Sequence, residues 1–119
     1  MAKSFEELEV FKRAYKASLQ IHKISKNFPK DEIFSLTDQI RRCSKSICAN
    51  LAEGFAKQIA SRKEFKRYIL ISLASSDEVR VWLRYCLDLE YINKEEWQNF
   101  RQEYLEISKM LQGLYKSIK

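Results

Sequence analysis

The sequence predicts an all-α protein, arranged as an antiparallel up-down-up-down four-helix bundle. Two glycines and one proline among 119 residues leave little material for turns, so the elements must be few and long. A capping residue precedes a glutamate by three positions at Ser4–Glu7, Ser61–Glu64 and Asn93–Glu96. Near the C-terminus, apolar residues repeat at alternating spacings of three and four, as they do in helical bundles: Trp97, Phe100, Tyr104, Ile107, Leu111, Leu114 and Ile118.

Helix one is predicted from about Phe5 to Asn27, ending before Pro29 because the residue preceding a proline avoids helical dihedrals. Its apolar residues form two stripes. One contains Leu8, Phe11, Tyr15, Leu19 and His22, and the other contains Val10, Ala14, Ala17, Ile21, Ile24 and Phe28. A helix in a monomeric bundle needs an apolar face only about 100° wide. The wider apolar surface therefore predicts a second packing partner for this helix.

Three more helices follow. Helix two is expected to begin at Asp31 or Leu36 and to end near Phe55, helix three to span Arg62 to Leu89, and helix four to span Lys94 to Ser117. Helix three is apolar on two opposite sides, which also suggests contact with another subunit. The connections are short, so consecutive helices are predicted to be antiparallel neighbours within one domain, residues 1–119.

Helix two carries the most specific pattern in the chain, a line of polar residues beside its apolar stripe. This polar seam consists of Gln39, Arg42, Ser46, Asn50 and Glu53, which fall three or four residues apart. Two interpretations are open. The seam fixes the contact between helices or subunits, or it lines a small polar pocket that binds a ligand.

A group of cations surrounds the start of helix three, with Glu64 as the nearby acid. We call it the basic cluster: Lys57, Arg62, Lys63, Lys66 and Arg67. Cations at a helix N-terminus oppose the helix dipole, so a bound polyanion is one explanation for them. In an up-down bundle Lys3 and the C-terminal lysines lie at the same end. The alternative is a solvated end of mixed charge, and the net charge of +6 suits either.

The sequence contains few signals of enzymatic chemistry, so a non-enzymatic protein without metal or cofactor is predicted. It has one histidine and neither a phosphate-binding glycine loop nor a recognisable catalytic or metal-ligand motif. Three cysteines cannot pair completely, which favours reduced thiols and a cytoplasmic location. No secretion signal or membrane-spanning segment is expected.

The chain resembles the bacterial four-helix-bundle proteins encoded by intervening sequences within 23S ribosomal RNA genes. The resemblance covers nearly the whole chain and depends on these pieces: Phe28-Pro29-x-x-Glu32-x-x-x-Leu36, the run from Gln39 to Gly54, Glu64-Phe65, Ser75-Ser76-x-Glu78 and Leu89-x-Tyr91-Ile92. That family is similar to the accessory protein of diversity-generating retroelements, a basic homopentamer that binds nucleic acid and a reverse transcriptase. The chain departs from that pattern in its modest positive charge, with sixteen acids.

The predicted function is therefore that of an oligomeric protein, a homopentamer by this resemblance, which binds RNA or DNA weakly and without sequence preference. The basic cluster and Lys3 are its candidate binding residues. A reverse transcriptase is an implied partner if the protein belongs to a retroelement. The alternative is a structural or protein-interaction scaffold that does not bind nucleic acid.

Overall fold

The computed structural model describes residues 2–119, and all regular secondary structure over that range is helical, as predicted. Four α-helices span Glu9–Ser25 (α1), Leu36–Lys57 (α2), Arg62–Asp88 (α3) and Lys94–Ser117 (α4). Short 3-10 turns at Phe5–Glu7 and Lys30–Glu32 precede α1 and α2. Three of the four predicted helices agree with the structure to within a few residues at each end, and one of the two proposed starts of helix two, Leu36, is correct.

The predicted start of helix one at Phe5 is wrong, although the capping box that predicted it is present. The Ser4 hydroxyl accepts a hydrogen bond from the Glu6 amide at 3.2 Å, and the Glu7 carboxylate accepts one from the Ser4 amide at 3.2 Å. This cap begins a single 3-10 turn, after which Leu8 is extended at φ −67° and ψ 127°. The break folds the Phe5 ring edge-on against the Phe11 ring at 4.9 Å, so apolar contact favours the interruption.

Side chains from all four helices form the core. Its fully buried members include Ile21 of α1, Ile47 of α2, Ile69 of α3, and Tyr104 and Leu111 of α4. Ala17 and Ile21 lie in this core, which assigns their stripe of α1 to the interior. Tyr15 and Leu19, from the other stripe, are about half exposed.

Small residues let α2 and α3 approach closely. A Cβ atom added to Gly54 would lie 2.5 Å from the Tyr68 Cβ. The buried Ser72 hydroxyl donates to the Ile47 carbonyl at 2.9 Å, which satisfies a polar group inside the crossing. On the other side of α3, the Ser76 hydroxyl donates to the Tyr104 carbonyl at 3.2 Å. Ser72 and Ser76 thus place short, hydrogen-bonded side chains where α3 contacts α2 and α4.

Candidate nucleic-acid interface and polar seam

The connection between α2 and α3 brings the members of the basic cluster to one end of the molecule. The amides of Ala60 and Ser61 both donate to the Lys57 carbonyl, at 3.1 and 3.0 Å, so the chain turns back at once. The Ser61 hydroxyl then accepts from the Glu64 amide at 3.3 Å and caps α3. This tight turn places Lys57, at the end of α2, beside the first residues of α3.

A surface groove collects part of the basic cluster around a tyrosine of α4. Lys63, Lys66 and Arg67 line it together with Tyr115 and Lys119, and its volume is about 530 Å³. The Lys66 ammonium lies 4.4 Å from the centre of the Tyr115 ring, a distance typical of a cation–π contact. The groove therefore combines cations from α3 and the C-terminus with an aromatic ring.

A second tyrosine, Tyr68 of α3, contacts Arg67 and Lys57. The Arg67 guanidinium lies 4.7 Å and the Lys57 ammonium 5.7 Å from the centre of the Tyr68 ring. Arg67 also donates two hydrogen bonds to the Glu64 carboxylate, at 3.1 and 3.2 Å. These bonds lower the pKa of Glu64 and raise that of Arg67, so both groups stay charged and Glu64 offsets one positive charge.

Arg62 and Lys3 lie outside this groove. Arg62 lines a neighbouring groove of about 350 Å³ with Ala2, Phe55 and Ile118. Lys3 is exposed, and its backbone amide donates to the Glu7 carboxylate at 2.8 Å. Both chain ends and the start of α3 thus meet at one end of the molecule. Of the predicted cations, Lys63, Lys66 and Arg67 line the first groove and Arg62 the second, whereas Lys57 and Lys3 line neither.

Tyr68 and Tyr115 belong to this region although neither was predicted from the sequence to lie there. Tyr68 directly follows Arg67, and Tyr115 lies one residue before Lys116, so each tyrosine is adjacent to a cation in the chain. Combining that adjacency with the predicted up-down topology would have placed Tyr115 beside the start of α3. The adjacency of tyrosine and cation in the sequence becomes informative only when it is combined with the order in which the helices run.

The polar seam of α2 divides into a contact with α3 and a solvent-facing part. The Ser46 and Ser75 hydroxyls lie 2.9 Å apart, and the Asn50 amide donates to the Ser46 carbonyl and hydroxyl, each at 2.9 Å. Gln39 and Arg42 line a depression of about 310 Å³ near Ser75. The Arg42 side chain is 77% exposed and reaches Asp38 at 4.0 Å. Glu53 is exposed.

Replacing Asn50 with alanine is expected to lower the free energy of unfolding by about 1 kcal/mol, because Ser46 loses a partly buried partner at the contact with Ser75. Denaturant unfolding measures this loss. Glu53→Ala is the control, since an exposed position should change stability by less than about 0.5 kcal/mol. An Asn50→Ala variant with unchanged stability and a lost binding activity would instead support the pocket interpretation.

The thiols and the histidine offer little chemistry here. Burial raises the pKa of Cys43 and of Cys86 to about 12 and that of Cys48 to about 11, so all three are protonated at neutral pH. Desolvation, followed by repulsion from Lys45 and Arg41, lowers the pKa of His22. Within residues 2–119 there is no group of three His, Cys, Asp or Glu side chains suited to holding a metal ion. None of the helices described is both long and apolar enough to cross a membrane.

Comparisons with known proteins identify the family. The model of the 23S rRNA-intervening sequence protein family matches residues 6–113. A crystal structure from Bacteroides thetaiotaomicron, of a protein with unknown function from the S23 ribosomal protein family, is similar in fold with a TM-score of 0.80. The two chains are 28% identical, and the match covers 90% of this chain and 95% of that one. None of the curated proteins matches significantly. This chain therefore belongs to the 23S rRNA-intervening sequence protein family.

Proposed function

We propose that this protein is a non-enzymatic, oligomeric binding protein that associates weakly with RNA or DNA, without sequence preference, through its basic end. The observation that supports this most directly is the groove in which Lys63, Lys66, Arg67 and Lys119 surround Tyr115. Cations grouped around a groove attract a phosphate backbone irrespective of base sequence. Because Glu64 offsets Arg67 and the net charge is only +6, the affinity of one subunit is modest.

The basic end depends on helices that run alternately up and down. Ser46 of α2 contacts Ser75 of α3, whereas Gly54, later in α2, contacts Tyr68, earlier in α3. The same reversal relates α3 to α4, where Ser76 contacts Ser108 and the later Arg84 contacts the earlier Trp97. It also relates α1 to α2, where Phe11 contacts Cys48 and the later Ser25 contacts the earlier Arg41. This order of contacts supports an antiparallel arrangement, in which the start of α3 and the end of α4 share one end of a single domain.

The proposed assembly is a homo-oligomer, a pentamer by the resemblance to the retroelement accessory protein. Ala74, Val81 and Tyr85 are all exposed and fall on one outward face of α3. Together with Tyr15 and Leu19 of α1, they supply the apolar surface that a subunit contact needs. Repeating a weak cationic site around a ring multiplies its avidity for one polyanion.

Neutralising the basic cluster tests the proposed function. Changing Arg62, Lys63, Lys66 and Arg67 together to glutamine should weaken binding to RNA and DNA and flatten its dependence on salt. The slope of log affinity against log salt should fall by about one unit for each phosphate that the variant no longer neutralises. Fluorescence anisotropy at several salt concentrations, with the full chain, measures both quantities.

A charge-matched variant serves as the control. Lys16, Lys23, Lys26 and Lys30 are exposed residues outside the basic cluster, and changing them to glutamine alters the net charge by the same amount. The control should keep the slope and most of the affinity. Equal losses in the two variants would mean that overall charge, rather than this site, determines binding.

A scaffold that binds other proteins is the second candidate function. The observation that favours it is apolar exposure at the connections: Phe34 and Ile59 are both more than nine-tenths exposed. The two residues flank opposite ends of α2, so each would mark a separate contact site for another protein. A wild-type protein that binds neither RNA nor DNA at low salt would favour this second function. Both proposals are compatible with a cytoplasmic location. Both also allow a reverse transcriptase as a partner if the protein belongs to a retroelement.

A further inference from the structure

The basic end has aromatic surface as well as charge. Tyr115 of α4 and Tyr68 of α3 are half-buried, and each has a cation from α3 over its ring. Lys66 and Arg67 are consecutive, so their side chains leave α3 in directions about 100° apart and meet different rings. Tyr115 also packs against the core, which fixes the orientation of its ring.

The groove beside Tyr115 is large enough to hold a small ligand. Its volume of about 530 Å³ lies within the range of such sites, roughly 300–1,000 Å³. Leu70 and the Tyr115 ring supply apolar surface, and Lys63, Lys66 and Lys119 supply positive charge. Glu64 also lines the groove, but its carboxylate is paired with Arg67. A flat, weakly polar group attached to phosphate complements both parts of this lining. An unpaired nucleotide is such a group.

We infer that this groove holds an unpaired nucleotide of single-stranded RNA or DNA, with its base stacked on Tyr115 and its phosphate against Lys63 and Lys66. The inference depends on the proposed function and specifies which nucleic acid the site selects. The Lys66 ammonium, now 4.4 Å from the ring centre, moves from the ring to the phosphate as the base takes its place. Because its long side chain is flexible, the backbone of α3 does not need to shift.

A duplex cannot use the ring in this way. Neighbouring bases cover both faces of each paired base, so only base edges and phosphates are accessible to a protein. Lys63 and Lys66 can still contact duplex phosphates, but Tyr115 adds nothing to that binding. Stacking also ignores base identity and the ribose 2′-hydroxyl, so RNA and DNA strands should bind alike. The ratio of single-strand affinity to duplex affinity at constant salt therefore measures the contribution of stacking on Tyr115.

The test compares Tyr115→Leu with the wild-type full chain on oligouridylate, oligothymidylate and duplex DNA of equal length. We expect the wild type to bind both single strands about ten-fold more tightly than the duplex. Tyr115→Leu should lose about that factor on single strands and keep its duplex affinity and salt slope. Tyr115→Phe, which retains the ring and its packing, should bind like the wild type.

Phe34→Leu is the matched control, since it removes an exposed aromatic ring just before α2, at the opposite end of that helix from the basic cluster. It should leave both affinities unchanged. Nucleic-acid binding without preference for single strands, or an equal loss on strands and duplex in Tyr115→Leu, would overturn the inference and leave the proposed function standing. Absence of binding to all three probes at low salt would overturn both.

Discussion

Replacing Gly54 with alanine is expected to destabilise the protein by about 1–3 kcal/mol, although alanine is the better helix former. In an exposed helix this change would stabilise by about 1 kcal/mol. Here the new Cβ would lie 2.5 Å from the Tyr68 Cβ, 3.1 Å from the Phe65 ring and 3.4 Å from the Phe65 carbonyl. The Tyr68 Cβ is fixed to its backbone, so α2 and α3 must separate, and overpacking of this kind outweighs the gain in helix propensity.

Gly113 provides the matched control for this prediction. It also lies inside a helix, but a Cβ atom there would meet nothing within 4 Å. Gly113→Ala should therefore stabilise the protein by about 0.5–1 kcal/mol. Denaturant unfolding of both variants gives the comparison. A stabilised Gly54→Ala variant would show that α2 and α3 do not cross as closely as described.

Local patterns predicted the four helices because they encode local interactions. At Asn93 the capping box forms in both directions, with hydrogen bonds of 2.9 and 2.8 Å to Glu96, and α4 begins at the predicted residue. At Ser4 the same pattern forms a cap, but it starts a 3-10 turn that ends at Leu8. The contact of Phe5 with Phe11 favours that outcome, and a capping pattern contains no information about it.

The candidate site could be predicted only in part, because it is assembled from segments far apart in the chain. The basic cluster was visible as a run of cations around the start of helix three. The position of Arg62 in a different groove from Lys63, Lys66 and Arg67, and the Tyr115 ring beside Lys66, depend on how α4 and the N-terminal segment pack. In the polar seam, likewise, the spacing placed Ser46, Asn50 and Glu53 on one side of α2. Only the position of Ser75 on α3 shows that Ser46 and Asn50 are hydrogen-bonded at the helix contact, whereas Glu53 is exposed.

The largest loss of stability is expected for Ile21→Glu. Ile21 is 0% exposed, and an unpaired carboxylate at a buried position costs roughly 3–5 kcal/mol, a large share of the 5–15 kcal/mol that stabilises a typical domain. The variant should unfold or lose most of its stability, which circular dichroism during thermal unfolding would measure. A folded Ile21→Glu variant that only changes its oligomeric state would mean that this stripe of α1 contacts a neighbouring subunit.

Val81→Glu places the same charge on the outward face of α3 and tests the proposed assembly. Val81 is 51% exposed, so water solvates the carboxylate of an isolated subunit and its helix should keep its stability. In the oligomer the charge would be buried against a neighbour, and the mass measured by light scattering should fall toward the subunit mass of 14.2 kDa. A wild-type mass near that value at micromolar concentration would reject the oligomer. An unchanged mass in Val81→Glu would instead move the subunit contact away from this face of α3.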